Sequence, residues 1–149
     1  VPIWNLTGMA RARAAGYVPI MADESAMSPY DVAAVINAGA ADVFALKIAK
    51  AGGMLASLHS ALLIDAAGLA CYMGCMMESS LGVSAYLQTA AVLPDMSYGV
   101  CFPGPIIMPQ SVVKEDPVFK DGCVFVPQKP GLGVELDADV IAKLVPVED

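Results

Sequence analysis

The sequence predicts an α/β fold of repeated strand–loop–helix units with parallel strands, on three observations. Four short apolar runs, at residues 18–22, 43–47, 70–73 and 98–102, begin 25, 27 and 28 residues apart. That spacing leaves room for one crossover helix between successive strands. Three helix-like stretches end in Ala-Gly, at Ala15-Gly16, Ala38-Gly39 and Ala67-Gly68, where glycine takes up the left-handed conformation that closes a helix. Finally, 57% of the 149 residues are hydrophobic and 15% charged, with mean hydropathy +0.63. A chain of this size can bury a substantial core, and the composition excludes intrinsic disorder.

Taken in order, the first helix covers residues 5–15 and leads into the first strand. The second helix starts at Ser28-Pro29, an N-cap followed by proline at the first helical position. Val32, Val35 and Ile36 then recur at helical spacing. Gly52-Gly53 opens the third helix, with Leu55, Leu58 and Leu62 forming its apolar face, and residues 81–93 form the fourth, presenting Val83, Leu87, Ala90 and Ala91. After Pro105 the pattern changes: residues 106–108, 123–126 and 134–136 read as short strands or extended segments, and residues 138–144 as a last helix. Residues 1–105 are thus expected to hold about four βα units and residues 106–149 a C-terminal closing segment. The crossovers should be right-handed. Four strands do not close a barrel whereas eight do, so half of a (β/α)8 barrel and an open doubly wound sheet both fit the periodicity.

Several functions are excluded. The net charge is −7 without a Lys/Arg cluster, which argues against nucleic acid and anionic membranes as partners. The longest uncharged stretch, residues 96–113, contains Pro103, Pro105 and Pro109 and makes no spanning helix. Val1-Pro2-Ile3-Trp4 lacks the basic lead-in of a secretory signal, so the expected location is the cytoplasm. The start on Val, directly into apolar sequence, reads as a piece of something longer. Cys71 and Cys75 have poor zinc spacing and lie more than ten residues from the lone His59. All four cysteines, with Cys101 and Cys123, are expected to be reduced and mostly buried.

In βα folds, chemistry sits at the C-terminal ends of the strands, and the few charges fall there. The first strand runs into Asp23-Glu24-Ser25, and the second reaches Lys47, with Lys50 three residues on. Alternation puts Asp23 with Met21 and Lys47 with Ala45. The bulkier Phe44, Leu46 and Ile48 pack on helices, which turns Asp23 and Lys47 toward one strand-end pocket. Parallel strands about 4.8 Å apart let a carboxylate and an ammonium share a site. A simple ion pair or solvated loop charges would read the same way, although a lysine inside Phe-Ala-Leu-Lys-Ile-Ala is unusual unless paired or functional. The Lys50-Ala51-Gly52-Gly53 turn is a weak anion-binding candidate, and Gly131-Leu132-Gly133 reads as a turn. Glu78 is either another strand-end carboxylate or a helix N-terminal charge beside Ser79-Ser80.

The segments Pro19-Ile20-Met21-Ala22-Asp23-Glu24-Ser25 and Ala45-Leu46-Lys47-Ile48-Ala49-Lys50 with Gly52-Gly53 resemble the barrel of muconate cycloisomerases of the enolase superfamily. The likeness continues through Met76-Met77-Glu78 and Gly104-Pro105 to Pro130-Gly131-Leu132-Gly133-Val134-Glu135-Leu136-Asp137. It implies the C-terminal half of a (β/α)7β TIM-like barrel, without the first strands and the separate capping domain. It also implies a Mg2+ or Mn2+ enzyme whose metal is held by three carboxylates at successive strand ends. The superfamily's known strategy is a Lys or His base with magnesium stabilising an enediolate. By this resemblance Asp23 matches the third metal ligand and Lys47 the acid/base lysine, whose pKa a cationic, partly desolvated site would lower toward the working range. Glu24, Lys50, Glu78 and Cys101 are candidate supporting or substrate-binding residues. The other two ligands and an opposed Lys-x-Lys pair belong to earlier strands that this sequence does not contain. Cys101 stands where the family's cycloisomerases usually carry Glu, and a thiol offers no comparable carboxylate hydrogen bond.

The activity implied is the interconversion of cis,cis-muconate and muconolactone through an enolate, by a homo-oligomer in the full-length protein, on a small dicarboxylate substrate. One carboxylate cannot hold Mg2+ tightly, so this chain by itself is expected to be inactive. Related alternatives are a dipeptide epimerase or o-succinylbenzoate synthase of the same superfamily, and a different one is a half-barrel without catalysis.

Overall fold

A computed structural model describes residues 1–108 and 110–144. The apolar run 43–46 carries no polar side chain, and it becomes the middle strand of a parallel sheet ordered β1 (Met21–Ala22), β2 (Val43–Leu46), β3 (Ala70–Met73). Met21 lies opposite Val43, and Val43 opposite Ala70. Every residue of β2 is at most 2% exposed, as a parallel strand flanked on both edges requires. Helix α1 (Leu6–Ala14) precedes β1, and α2 (Pro29–Asn37), α3 (Ile48–Ala51) and α4 (Met54–Ala66) fill the intervals between the strands, and the α/β reading holds. Ser28 and Asp31 form a reciprocal capping box at the start of α2, with Pro29 in the first turn. Val32 and Val35 of that helix are buried.

Two predicted strands are shorter than expected. The run 18–22 pairs only over β1, because Pro19 has no N–H to give and the Ile20 amide is taken by the Asp42 carboxylate at 2.8 Å. The run 98–102 reduces to a single parallel bridge between Met73 and Val100. There the Gly99 amide turns back to the Met96 carbonyl at 2.8 Å, and Gly99 is left-handed at φ 73°.

The face of α4 also differs from the prediction. Ser57, Ser60, Ala61 and Ile64 are its buried residues, while Leu55 and Leu62 are 65% and 51% exposed. Small side chains let α4 approach its neighbours closely, and the Ser57 hydroxyl is satisfied by the Gly53 carbonyl at 3.1 Å. The single turn α3 has no counterpart in the hydrophobic pattern, and Gly52, left-handed at φ 88°, ends it. All four cysteines are thiols outside any disulfide, but Cys71 alone is buried; Cys75 is half-buried, and Cys101 and Cys123 are exposed.

The chain divides into two compact units. The first comprises Val1–Met76 with Val92–Cys101 and holds the parallel sheet. The second takes Met77–Ala91 and the described residues from Phe102 onward. It contains α5 (Ser80–Ala90), α6 (Gly104–Ile107), β4 (Phe119–Lys120), β5 (Cys123–Val124) and α7 (Ala138–Ile141). The expected strand 106–108 is replaced by the helical turn α6, since Pro105 suits a first turn and the Pro103 carbonyl accepts from Ile106 and Ile107. At Gly104 a Cβ would run into the Glu78 carbonyl oxygen, so no larger residue fits. The expected segment 123–126 pairs only through β5, antiparallel to β4, around Asp121-Gly122 at φ 52° and 74°. That is the Asp-Gly signature of a tight hairpin. Residues 134–136 contribute one bridge, Val113 to Leu136. Among the described residues, no helix is long and apolar enough to cross a membrane.

Asp42 ties α1 to β1 by accepting from Arg13 Nε and the Ile20 amide, each at 2.8 Å. Those two donors, the amide first, hold its carboxyl below the usual carboxylate range. A depressed folded pKa contributes stability that is complete above the unfolded value of about 3.9 and is lost as pH falls through the folded value. Asp42→Ala should therefore lower unfolding free energy by about 1–2 kcal/mol in denaturant titration at pH 7. The deficit should shrink as the titration is repeated below about pH 4.

Candidate active site

Strand register brings the candidate residues to one face. Ala22 lies opposite Phe44, which sets Asp23 level with Ala45, and Ala45 lies opposite Tyr72. Lys47 still has extended backbone, φ −140° and ψ 120°, so alternation carries it to the same face two residues beyond Ala45. The Met73–Val100 bridge puts Cys101 beside Gly74 on that face. Asp23, Lys47, Tyr72 and Cys101 thus emerge together at the C-terminal ends of the parallel strands.

Two lysines share one carboxylate. Lys47 Nζ lies 2.7 Å from Asp23 Oδ2 and 3.0 Å from Glu24 Oε1. Lys50 Nζ lies 2.9 Å from Asp23 Oδ1 and 2.5 Å from the Asp23 carbonyl oxygen. The α3 turn makes this possible by folding the chain back after Lys47, so that Lys50 within the turn reaches the same carboxylate. The Lys50 side chain is 5% exposed, Lys47 11% and Asp23 38%. Burial raises the Asp23 pKa, but hydrogen bonds from Lys47 and Lys50 outweigh it and the net shift is downward.

The lysines differ in direction. Burial pulls Lys47 down, yet its bonds to Asp23 and Glu24 prevail and its pKa is raised. The expected lowering belongs to a cationic site, whereas in this chain two carboxylates face the ammonium. Lys50, more deeply buried, is the one lowered, burial outweighing its bond to Asp23.

Tyr72 is the member of this face that the sequence did not single out. Its signal lies in the register, since it pairs with the residue two before Lys47. Burial, then a hydrogen bond with Cys101, pushes its phenol up to about 12, so it stays a neutral donor. A Cβ at Gly74 would stand 3.2 Å from Tyr72 Cε1 and 3.3 Å from Lys47 Cε. Glycine there leaves both side chains their space. Glu78 belongs to the second unit, just before α5, where its carboxylate accepts from the Tyr86 hydroxyl at 2.7 Å.

Asp23 is a hard oxygen donor of the kind Mg2+ and Mn2+ take. Both of its carboxylate oxygens are, however, held by ammonium groups. Among the described residues, no group of three or more His, Cys, Asp or Glu could hold a metal ion. The described residues therefore do not fit a complete divalent-metal site.

A family model described as enolase C-terminal domain-like matches residues 1–140. Muconate cycloisomerase 1 of Pseudomonas putida is 39% identical over 139 residues, covering 93% of this chain and 37% of that protein. Muconate cycloisomerase 1 of Rhodococcus opacus is 40% identical over 124 residues, covering 83% and 33%. The solved muconate lactonizing enzyme from Pseudomonas putida superposes with TM-score 0.93 at 37% identity, covering 96% of this chain and 40% of that one. The chain thus spans well under half the length of the relatives it matches.

Asp23→Asn would leave two largely buried ammonium groups without their shared charge. Unfolding free energy should fall by about 2–3 kcal/mol, against less than about 1 for Glu24→Gln, whose carboxylate is half exposed. With a depressed folded pKa, the Asp23 contribution is complete above the unfolded value of about 3.9 and is lost as pH falls through the folded value. Parallel acid titrations of the two variants check both statements.

Proposed function

The chain belongs to the enolase C-terminal domain-like family, and on that premise we propose that it carries part of the active site of a cycloisomerase of the muconate lactonizing type. The observation that carries this reading is the Lys47–Asp23 pair, 2.7 Å apart at the ends of neighbouring parallel strands. Similarity to muconate cycloisomerases at 39–40% identity supports it.

In this reading Lys47 is the acid/base group. Ring closure adds a carboxylate oxygen of cis,cis-muconate across a carbon–carbon double bond and leaves an enolate beside the other carboxylate. The Lys47 ammonium delivers its proton to the enolate carbon. In the reverse direction the neutral amine removes that proton, and the carbon–oxygen bond of the lactone breaks. Raised by Asp23 and Glu24, Lys47 is held as the ammonium, the form that donates in the closing direction. Tyr72 presents a protonated hydroxyl on the same face, suited to an anionic oxygen of a dicarboxylate.

Mg2+ or Mn2+ belongs to this reading with Asp23 as one oxygen ligand. The remaining ligands would have to come from outside the described residues, and no step is assigned to the ion. Cys101, standing where the family's cycloisomerases usually carry Glu, weakens the case for muconate, and a second reading is a dipeptide epimerase or o-succinylbenzoate synthase of the same superfamily, in which Lys47 works beside an α-proton.

A protein carrying this chain within a complete barrel should consume cis,cis-muconate, followed by loss of its ultraviolet absorbance. Lys47→Ala should lower kcat by about 10²–10⁴-fold without loss of fold. Undiminished turnover in that variant would remove Lys47 from the chemistry. Racemisation of a dipeptide with no turnover of muconate would replace the cycloisomerase reading by the second one. The 149-residue chain assayed by itself should show no metal-dependent lactonisation.

A further inference from the structure

We propose that Lys50 is a positioning residue that locks Asp23 in one conformation, so that Lys47 can leave the carboxylate without Asp23 turning away. The proposal rests on the reading that Asp23 and Lys47 share an active site.

A single ammonium engages Asp23 at two points. Lys50 Nζ donates to the main-chain carbonyl at 2.5 Å and to Oδ1 at 2.9 Å. Holding the carbonyl fixes the backbone, and holding Oδ1 fixes the side-chain torsion above it. The same carbonyl accepts the Ala26 amide at 2.9 Å, so Lys50 also secures the turn that closes the loop after β1. Lys47 takes the other oxygen, Oδ2, and the two lysines do not compete for one lone pair.

Their freedom to move is unequal. Lys50 is 5% exposed, and an ammonium so deeply buried that lost its partners would be left desolvated and unpaired, which is strongly unfavourable. Its stem is anchored as well. The α3 turn is fastened by Ala51 N–H to the Lys47 carbonyl and Gly53 N–H to the Ile48 carbonyl, both at 3.0 Å. Lys47 also bonds Glu24, whose side chain is 49% exposed, so water and substrate can reach that end of the network. A proton-transferring lysine must move from its resting partner to a carbon atom. Without Lys50, that departure would free Asp23 to rotate. Lys50 touches no reacting atom and acts through Asp23.

The test is nuclear magnetic resonance on the 149-residue chain, free of substrate and metal. Three-bond couplings to the Asp23 carboxyl carbon report its χ1 torsion, and hydrogen exchange reports the Ala26 amide. The wild type and Lys47→Met should both show one Asp23 rotamer and slow exchange at Ala26. Lys50→Met should show averaged couplings and exchange at Ala26 faster by about tenfold, as the loss of one supporting hydrogen bond implies. If that variant does not fold, Lys50→Gln serves, with averaged Asp23 couplings again expected. A single Asp23 rotamer in whichever Lys50 variant folds, or averaging in Lys47→Met alone, would overturn the proposal. Neither readout involves turnover, so such a result leaves the role of Lys47 standing, and undiminished turnover in Lys47→Ala leaves the Lys50 lock standing.

Discussion

A lysine cannot end a fully buried strand unless its charge is met, and the strand-end region of the first unit is organised around meeting it. Four buried apolar residues of β2 lead directly into Lys47, and the partner is Asp23, supplied by the neighbouring strand through parallel register. The α3 turn brings a second lysine onto the same carboxylate. One anion thereby carries two cations, and the half-exposed Glu24 supplies the remaining negative charge. Remove Asp23 and Lys50 loses the carboxylate it is paired with, while Lys47 keeps the half-exposed Glu24. Keep Asp23, and the site holds one ammonium that is locked and one that is within reach of solvent.

That division bears on chemistry. A group that moves protons needs a resting position it can leave, and a group that holds a ligand must not move. Separate oxygens of one carboxylate serve the two lysines, so both demands are met without a third acidic residue. Tyr72, protonated and turned to the same face, adds a neutral donor beside the Lys47 ammonium, and Gly74 keeps the space between them open.

Much of this could be read from residue order. The βα spacing, the Ser28-Pro29 cap and the strand-end positions of Asp23 and Lys47 follow from local rules of alternation and capping. Other features depend on distant partners. β1 is short because Asp42, twenty-two residues from Ile20, takes an amide that a strand would have used. The core face of α4 was misassigned because its leucines and its small residues both recur at helical spacing, and close packing selected the small ones. The Asp121-Gly122 hairpin had a legible signature that hydrophobic runs alone pass over. In the site, Tyr72 was missed because its relevance comes from its register with Ala45. The direction of the Lys47 shift follows from Asp23 first and then Glu24 closing on the same ammonium, and the second of these contacts has no sequence pattern to announce it.

One carboxylate, Asp23, holds both lysines at once. Direct observation of the lysine Nζ resonances by proton–nitrogen correlation, in the wild type and in Asp23→Asn, tests it. Two slowly exchanging ammonium signals, from Lys47 and Lys50, should be present in the wild type and should both move or broaden away in the variant. Signals that persist unchanged in Asp23→Asn would show that the lysines are held by something other than Asp23.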